Sequence, residues 1–302
     1  MDQRSAVIDP LQTLAAAAAA QARRENFPVA SRIVPAGPRA LLLAAYGYAR
    51  LVDDVGDEAP GGAQERLALL AEIERQLRSV ASGATSPVAP IEGVKPLLHR
   101  GVALQTLLDL VEANRRDQTV TRYDSFADLL DYCRLSAAPV GRIVLDIAGA
   151  ATATNIADSE RICAALQVLE HCQDVGEDIA NGRIYLPGRE LTARGVGEDD
   201  LRRAQASPEL RAVVLYQVAR AERLISTSLG LLDRLPGWAR LAVAGYVAGG
   251  QVTARALRRC QGEVLARPVR PGKPATALRA LGVLAARRVH RKSVPATGKV
   301  GL

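Results

Sequence analysis

At 302 residues and 32.0 kDa the chain is long enough to bury a sizeable core, as one large domain or two small ones. Hydrophobic residues make up 48%, yet only two are Phe and one is Trp, a balance that favours helices over a β-sandwich. The net charge of +7 is uneven: from Ala254 onward there are twelve Lys or Arg against one acid, Glu263, so a slightly acidic body carries a basic tail.

The first candidate element is AAAAAA at 15–20. It is weakly apolar and preceded by Asp2 and Asp9, so it reads as an opening helix and not a signal peptide. PAGP at 35–38 precedes a helix from about Arg39 into the 50s, and EAPGG at 58–62 interrupts it. A charged amphipathic helix follows to about Val80, then a loop over 81–96. Helical patterning resumes from Leu97 to about Asn114. DQTVTRYDS then leads to a helix predicted over Phe126–Ala150, with Pro139 and Gly141 tolerated near its middle. The next helix is predicted over Ala157–Ala180, with NGR at 181–183 as its C-cap and IYLPGREL as a short extended link. Two or three further helices fill 198–262. No stretch reaches the roughly 18 uncharged apolar residues of a transmembrane helix.

The last segment, ARPVRPGKP then ALRALGVLAARRVHRK, places Leu and Val on one face of a helix and Arg on the other. That pattern suits an anionic membrane surface. Its charge would also suit phosphates, but no aromatics are interleaved for base stacking, so nucleic acid is not an expected partner. Cys133, Cys163, Cys172 and Cys260 form no C-x-x-C pair, and His99, His171 and His290 add no ligand spacing. A reducing cytoplasm is the expected compartment. The expected organisation is all-α: a helical domain over 1–265 and a basic tail over 266–302, either partly an amphipathic helix at a membrane or a disordered, solvated segment.

Two acidic clusters stand out. In YARLVDDVGDE, Asp53 and Asp57 share one helix face with Asp54 beside them. In EHCQDVGEDIANGRIYLP, Glu170, Asp174 and Asp178 run at i, i+4 and i+8. One such cluster is ordinarily a solvated face. Two of them in apolar helices repel within each row and call for neutralisation, and Arg50 and Arg183 are the only basic residues close by. Hard divalent cations meet that need, because Mg²⁺ takes carboxylate oxygens and keeps waters that a phosphate can replace. The scarce aromatics Phe27, Tyr46, Tyr48, Tyr132 and Tyr185 lie in or beside these stretches, where they could wall a cationic intermediate.

Four stretches, ENFPVASRIVP (25–35), YARLVDDVGDE (48–58), YCRLSAAPVGR (132–142) and QDVGEDIANGRIYLP (173–187), resemble the motifs of the squalene/phytoene synthase family in order and separation. The resemblance spans about residues 20 to 260, and ENFPVAS and SAAPVGR are most similar to its hopanoid-pathway subgroup, the hydroxysqualene synthases. It implies an all-α isoprenoid synthase bundle around a central cavity, with the two acidic motifs facing each other. By position it implies two or three Mg²⁺ ions held by Asp53 and Asp57 from the first motif and by Asp174 and Asp178 from the second. Glu170 stands where the family commonly has Asn and can still ligate. Arg50 would meet the diphosphate, Tyr132 would sit near it as it departs, and Arg183 and Tyr185 would close over it. Phe27, Tyr46 and Gln167 would line the pocket. Ala137, Val140 and Gly141 would leave room for a prenyl chain, or else serve close helix packing. His171 and Cys172 replace residues that are usually apolar or aromatic, and Ala138 stands where the subgroup has Asn.

The reaction implied is conversion of presqualene diphosphate to hydroxysqualene with release of diphosphate. No NADPH is expected, and no G-x-G-x-x-G follows a strand. Two alternatives remain: head-to-head condensation of two farnesyl diphosphates to presqualene diphosphate or a phytoene- or squalene-type product, and a non-catalytic assembly factor. The implied place of action is the cytoplasm, peripheral on the inner face of the plasma membrane, beside neighbouring enzymes of the squalene pathway.

Overall fold

Apolar residues at helical spacing run through most of the chain, and helices are what they form. The computed structural model describes residues 34–267, together with 8, 10–16, 269 and 283. Among these residues there is no strand, and a single parallel bridge joins Arg122 to Ile184.

Helix α1 (Ala36–Asp57) begins behind Pro35 and buries Leu42, Ala45, Leu51, Val52 and Val55 along one stripe. Helix α2 (Ala63–Ala81) starts where the Glu65 carboxylate accepts the Gly62 N–H at 2.9 Å. After two short turns, Ala89–Glu92 and Lys95–His99, comes α3 (Leu104–Asp117). Helix α4 (Phe126–Ser136) opens with a reciprocal cap between Ser125 and Asp128. It is followed by α5 (Ala138–Ile147), α6 (Ala153–Gln173) and α7 (Val175–Ala180). Helices α8 (Pro208–Ser228) and α9 (Gly237–Arg259) complete the described bundle.

Helix α6 is the central element. It packs against α4, α5, α8 and α9, and its buried residues take up most of its circumference, leaving Glu160, Gln167 and Glu170 on the remaining side. Its charged N-terminal end is satisfied internally: Asp158 takes Arg161 at 2.5 Å and also pairs with Arg234, while Arg234 reaches Asn155 at 2.6 Å.

Three predicted helices are in fact broken. The one from Leu97 to about Asn114 divides over 100–103, between the short helix Lys95–His99 and α3, where Gly101 takes a positive φ of 99°. The one over Phe126–Ala150 divides at Ala137, because Pro139 has no N–H to continue the ladder and instead occupies the first turn of α5. The one over Ala157–Ala180 divides at Asp174, whose backbone (φ −103°, ψ 17°) leaves the helical region. The i→i−4 bonds Asp174 N–H to Glu170 O (3.0 Å) and Asp178 N–H to Asp174 O (2.7 Å) survive the break, so the acidic row still shares a side. The predicted link IYLPGREL runs into a short helix at Gly188–Thr192. Among the described residues no helix is long and apolar enough to cross a membrane. Phe27 and nearly all of the tail over 266–302 lie outside the described residues.

Candidate active site

Both acidic clusters open into one cavity of about 370 Å³, walled by α1, α3, α4, α6 and α7. From α1 come Arg50, Asp53 and Asp57, and from α6 and α7 come Gln167, Glu170, Asp174 and Asp178. The three aspartates of the first motif have different surroundings. Asp54 is buried and paired with Arg50 Nε at 2.7 Å, and Arg50 also lies 3.6 Å from Glu58. Asp57 accepts Arg183 at 2.8 Å. Asp53 accepts the Asn114 Nδ2 amide at 3.1 Å.

Gly56 makes room for that last bond. A Cβ at this position would lie 2.0 Å from Asn114 Oδ1, so only glycine lets α3 approach α1 here. Asp53 is wetted by the cavity yet enclosed by protein, and its carboxyl is pushed up to about 7. Burial is the main cause and the Asp57 charge adds to it, against the pull of Asn114 and Arg50. Across the cavity the Glu170 carboxyl is also raised. Burial is again first, with Asp174 and Asp178 adding and His171 opposing.

A group of rings closes the same cavity. Ile184 N–H donates to Thr121 O at 2.9 Å and Gly188 N–H to Tyr123 O at 2.9 Å, which pins the segment after α7 beside the α3–α4 link. Arg183 and Tyr185 are thereby delivered to the acidic wall. Tyr185 stacks on His171 at 3.7 Å between ring centres and 12° between planes, and Tyr132 lies 5.7 Å from Tyr185. Both hydroxyls donate to Asp117, Tyr132 at 2.7 Å and Tyr185 at 3.1 Å.

A second, apolar chamber of about 240 Å³ adjoins the acidic one, sharing Arg50, Asp53 and Leu110 with it. Leu42, Ala45, Tyr46 and Ala49 line it from α1, Val140, Ile143 and Val144 from α5, and Tyr246 from α9. A wider groove of about 670 Å³ runs along the outer side of α7 by Gln173, Gly176 and Leu265, and apart from Asp174 it holds none of the cavity's acids named above.

The structure therefore brings most of the predicted residues together. Tyr46 and Val140 reach the apolar chamber, whereas Ala137 lines neither chamber and sits at the α4–α5 break. Gly141 faces α6: a Cβ there would lie 2.4 Å from Ser159 Oγ and 2.6 Å from Cys163 Sγ, so its smallness serves helix packing. Tyr48 is fully buried and donates to Leu107 O at 3.1 Å, a core role away from the cavity. Sequence reasoning missed Asn114, Asp117 and Tyr246. Asn114 and Asp117 do carry a signal, an i, i+3 polar pair closing an apolar helix, though it does not differ from an ordinary solvated helix end.

Among the described residues no three of His, Cys, Asp and Glu converge closely enough to cage an ion unaided. The acids are instead spread over two walls of a polar cavity. This donor set fits Mg²⁺, which is held by one or two carboxylates, its own waters and phosphate oxygens.

The model of squalene/phytoene synthases matches residues 20–276 of the chain. A hydroxysqualene synthase of Sinorhizobium fredii is 38% identical over 214 residues, 70% of this chain and 72% of the relative. Among solved structures, the squalene synthase HpnC from Alicyclobacillus acidocaldarius superposes with a TM-score of 0.74 at 35% identity, covering 83% of this chain and 95% of that one. A dehydrosqualene synthase in complex with ligand gives a TM-score of 0.80 at 20% identity, covering 94% and 99%, a likeness of fold.

Proposed function

The chain belongs to the squalene/phytoene synthase family, and we propose that it converts presqualene diphosphate to hydroxysqualene with release of diphosphate, in squalene and hopanoid biosynthesis. It is an isoprenoid synthase. The observation that carries the finer reading is the adjacency of an acidic cavity and an apolar chamber, a shape matched to a diphosphate head on a prenyl tail. Similarity to hydroxysqualene synthases supports the choice of product.

Asp53, Asp57, Glu170, Asp174 and Asp178 would hold Mg²⁺. When bound, Mg²⁺ supplies charge neutralisation to the departing diphosphate. Arg50 lines both chambers and would meet the diphosphate there, and Arg183, paired with Asp57, would turn to it. The carbon–oxygen bond breaks with its electron pair leaving on the diphosphate. Tyr46, Val140 and Tyr246 give the resulting cation an apolar, π-faced wall. Gln167 and Tyr132 stand on the polar side, where a water can be held for capture. Water adds to the cation, loses a proton and gives the alcohol, so no hydride donor is consumed. Substrate and product are lipids, and the reading places the enzyme at the inner face of the plasma membrane, with its basic tail on anionic lipid and neighbouring squalene-pathway enzymes supplying the substrate.

The test is incubation of purified protein with Mg²⁺ and no NADPH, offering presqualene diphosphate and farnesyl diphosphate separately, with products read by gas chromatography–mass spectrometry. Hydroxysqualene from presqualene diphosphate supports the proposal. Consumption of farnesyl diphosphate would make the protein a condensing synthase. Turnover of neither would overturn both in favour of an assembly factor.

A further inference from the structure

One acid of the cavity belongs to neither acidic motif. Asp117, the last residue of α3, accepts the Tyr132 hydroxyl on Oδ2 at 2.7 Å and the Tyr185 hydroxyl on Oδ1 at 3.1 Å. An ionised carboxylate can only accept, and a phenol has a single proton. With that proton given to Asp117, each tyrosine oxygen can meet anything else in the cavity only as an acceptor. The rings cannot easily turn away. Tyr185 is stacked between His171 at 3.7 Å and Tyr123 at 5.7 Å, and Tyr123 also packs on Tyr132 at 5.3 Å.

We propose that Asp117 is a positioning residue for the capture step: it presents Tyr132 to the cavity as the acceptor of the attacking water's proton. The inference rests on the reaction proposed above. The water oxygen forms the new C–O bond to the cationic carbon. Its O–H bond breaks, the proton passes to the Tyr132 oxygen, and the proton already on Tyr132 passes to Asp117. Asp117 ends protonated and returns that proton to solvent when the products leave; no oxidant or reductant takes part. Burial, its largest influence, holds the Asp117 carboxyl above the usual carboxylate range despite the opposing pull of the Tyr132 hydroxyl and Arg183. That makes it a better proton acceptor than a surface carboxylate. A purely structural anchor would need the same hydrogen bonds but would not influence what becomes of the cation.

The fate of the cation is therefore the readout. Wild type, D117N, D117E and Y132F are given presqualene diphosphate and Mg²⁺, and diphosphate release is compared with hydroxysqualene yield. In D117N and Y132F the hydroxysqualene share of the product falls on the order of a hundredfold, the low end for a positioned proton acceptor. The cation then loses a proton to the departing diphosphate and ends as a polyene, while diphosphate release declines far less. D117E restores part of the share, and the D117N/Y132F double variant is no worse than either single one. An unchanged product ratio in D117N, with both readouts falling in parallel, reduces Asp117 to a structural anchor. Should D117N not fold, D117E and Y132F carry the same comparison. Failure of wild type to yield any hydroxysqualene overturns the reaction reading and the proposal with it, an outcome separate from a wild type that works beside a D117N of unchanged ratio.

Discussion

Asp53 illustrates how surroundings change a single side chain. Its carboxyl is raised from 3.8 to about 7, so ionising it burdens the folded state. The burden is absent below the unfolded value and grows as pH rises through the interval, reaching its full size above about 7. In metal-free buffer, Asp53→Asn is therefore expected to raise Tm at pH 8 and leave it nearly unchanged at pH 4. Thermal melts at the two pH values check this; equal shifts at both would contradict it. Adding Mg²⁺ at pH 8 is expected to raise the Tm of wild type by more than that of the Asn variant, because the cation relieves the same burden while the other acids of the cavity remain. Asp174→Ala removes an acid of the facing wall and is expected to lower turnover by at least about a hundredfold, with helical circular dichroism unchanged. The motif acids were legible in the sequence because four-residue spacing in apolar surroundings is a rare pattern. Asn114 was not: its meaning lies in a bond to Asp53 across 61 residues, through the space left by Gly56.

Among the elements, the informative places are the breaks at Ala137 and Asp174. Pro139 forces α4 and α5 apart, which lets α5 turn its Val140, Ile143 and Val144 side to the apolar chamber and its Gly141 side to α6. A small residue at 141 is, in the sequence, equally compatible with room for a substrate and with a close helix contact. Close approach of Ser159 and Cys163 decides for the helix. Gly141→Val is accordingly expected to destabilise the fold by about 1–3 kcal/mol through overpacking, measured as a lower midpoint in urea. A variant of unchanged midpoint would mean that α5 can move away freely. The break at Asp174 escaped sequence reasoning for a different reason. No proline marks it, Gly176 lies within the helix that resumes, and the backbone departs from helix for one residue while its flanking hydrogen bonds persist.

At the scale of the molecule, the division of labour between two chambers is the property to test. Ala45 lines only the apolar one. Ala45→Phe is expected to displace the prenyl tail and depress turnover of presqualene diphosphate on the order of a hundredfold, as misplacement of a reacting group does. The rise in Tm on adding Mg²⁺ with inorganic pyrophosphate is expected to survive, because the acidic cavity is untouched. Loss of both effects together would mean that the chambers act as one.

The sequence alone determined the all-helical character, the order of the motifs and the identity of the motif acids. These depend on local periodicity, caps and breakers, which a linear chain already contains. Tertiary structure alone decided which carboxylates are strained and which are paired. Arg183 reaches Asp57 from 126 residues away, Asp117 gathers tyrosines from α4 and from the segment after α7, and burial displaces the Asp53 and Glu170 carboxyls. Desolvation and charge proximity are properties of the surrounding volume, and that volume exists only once helices distant in sequence have packed against one another.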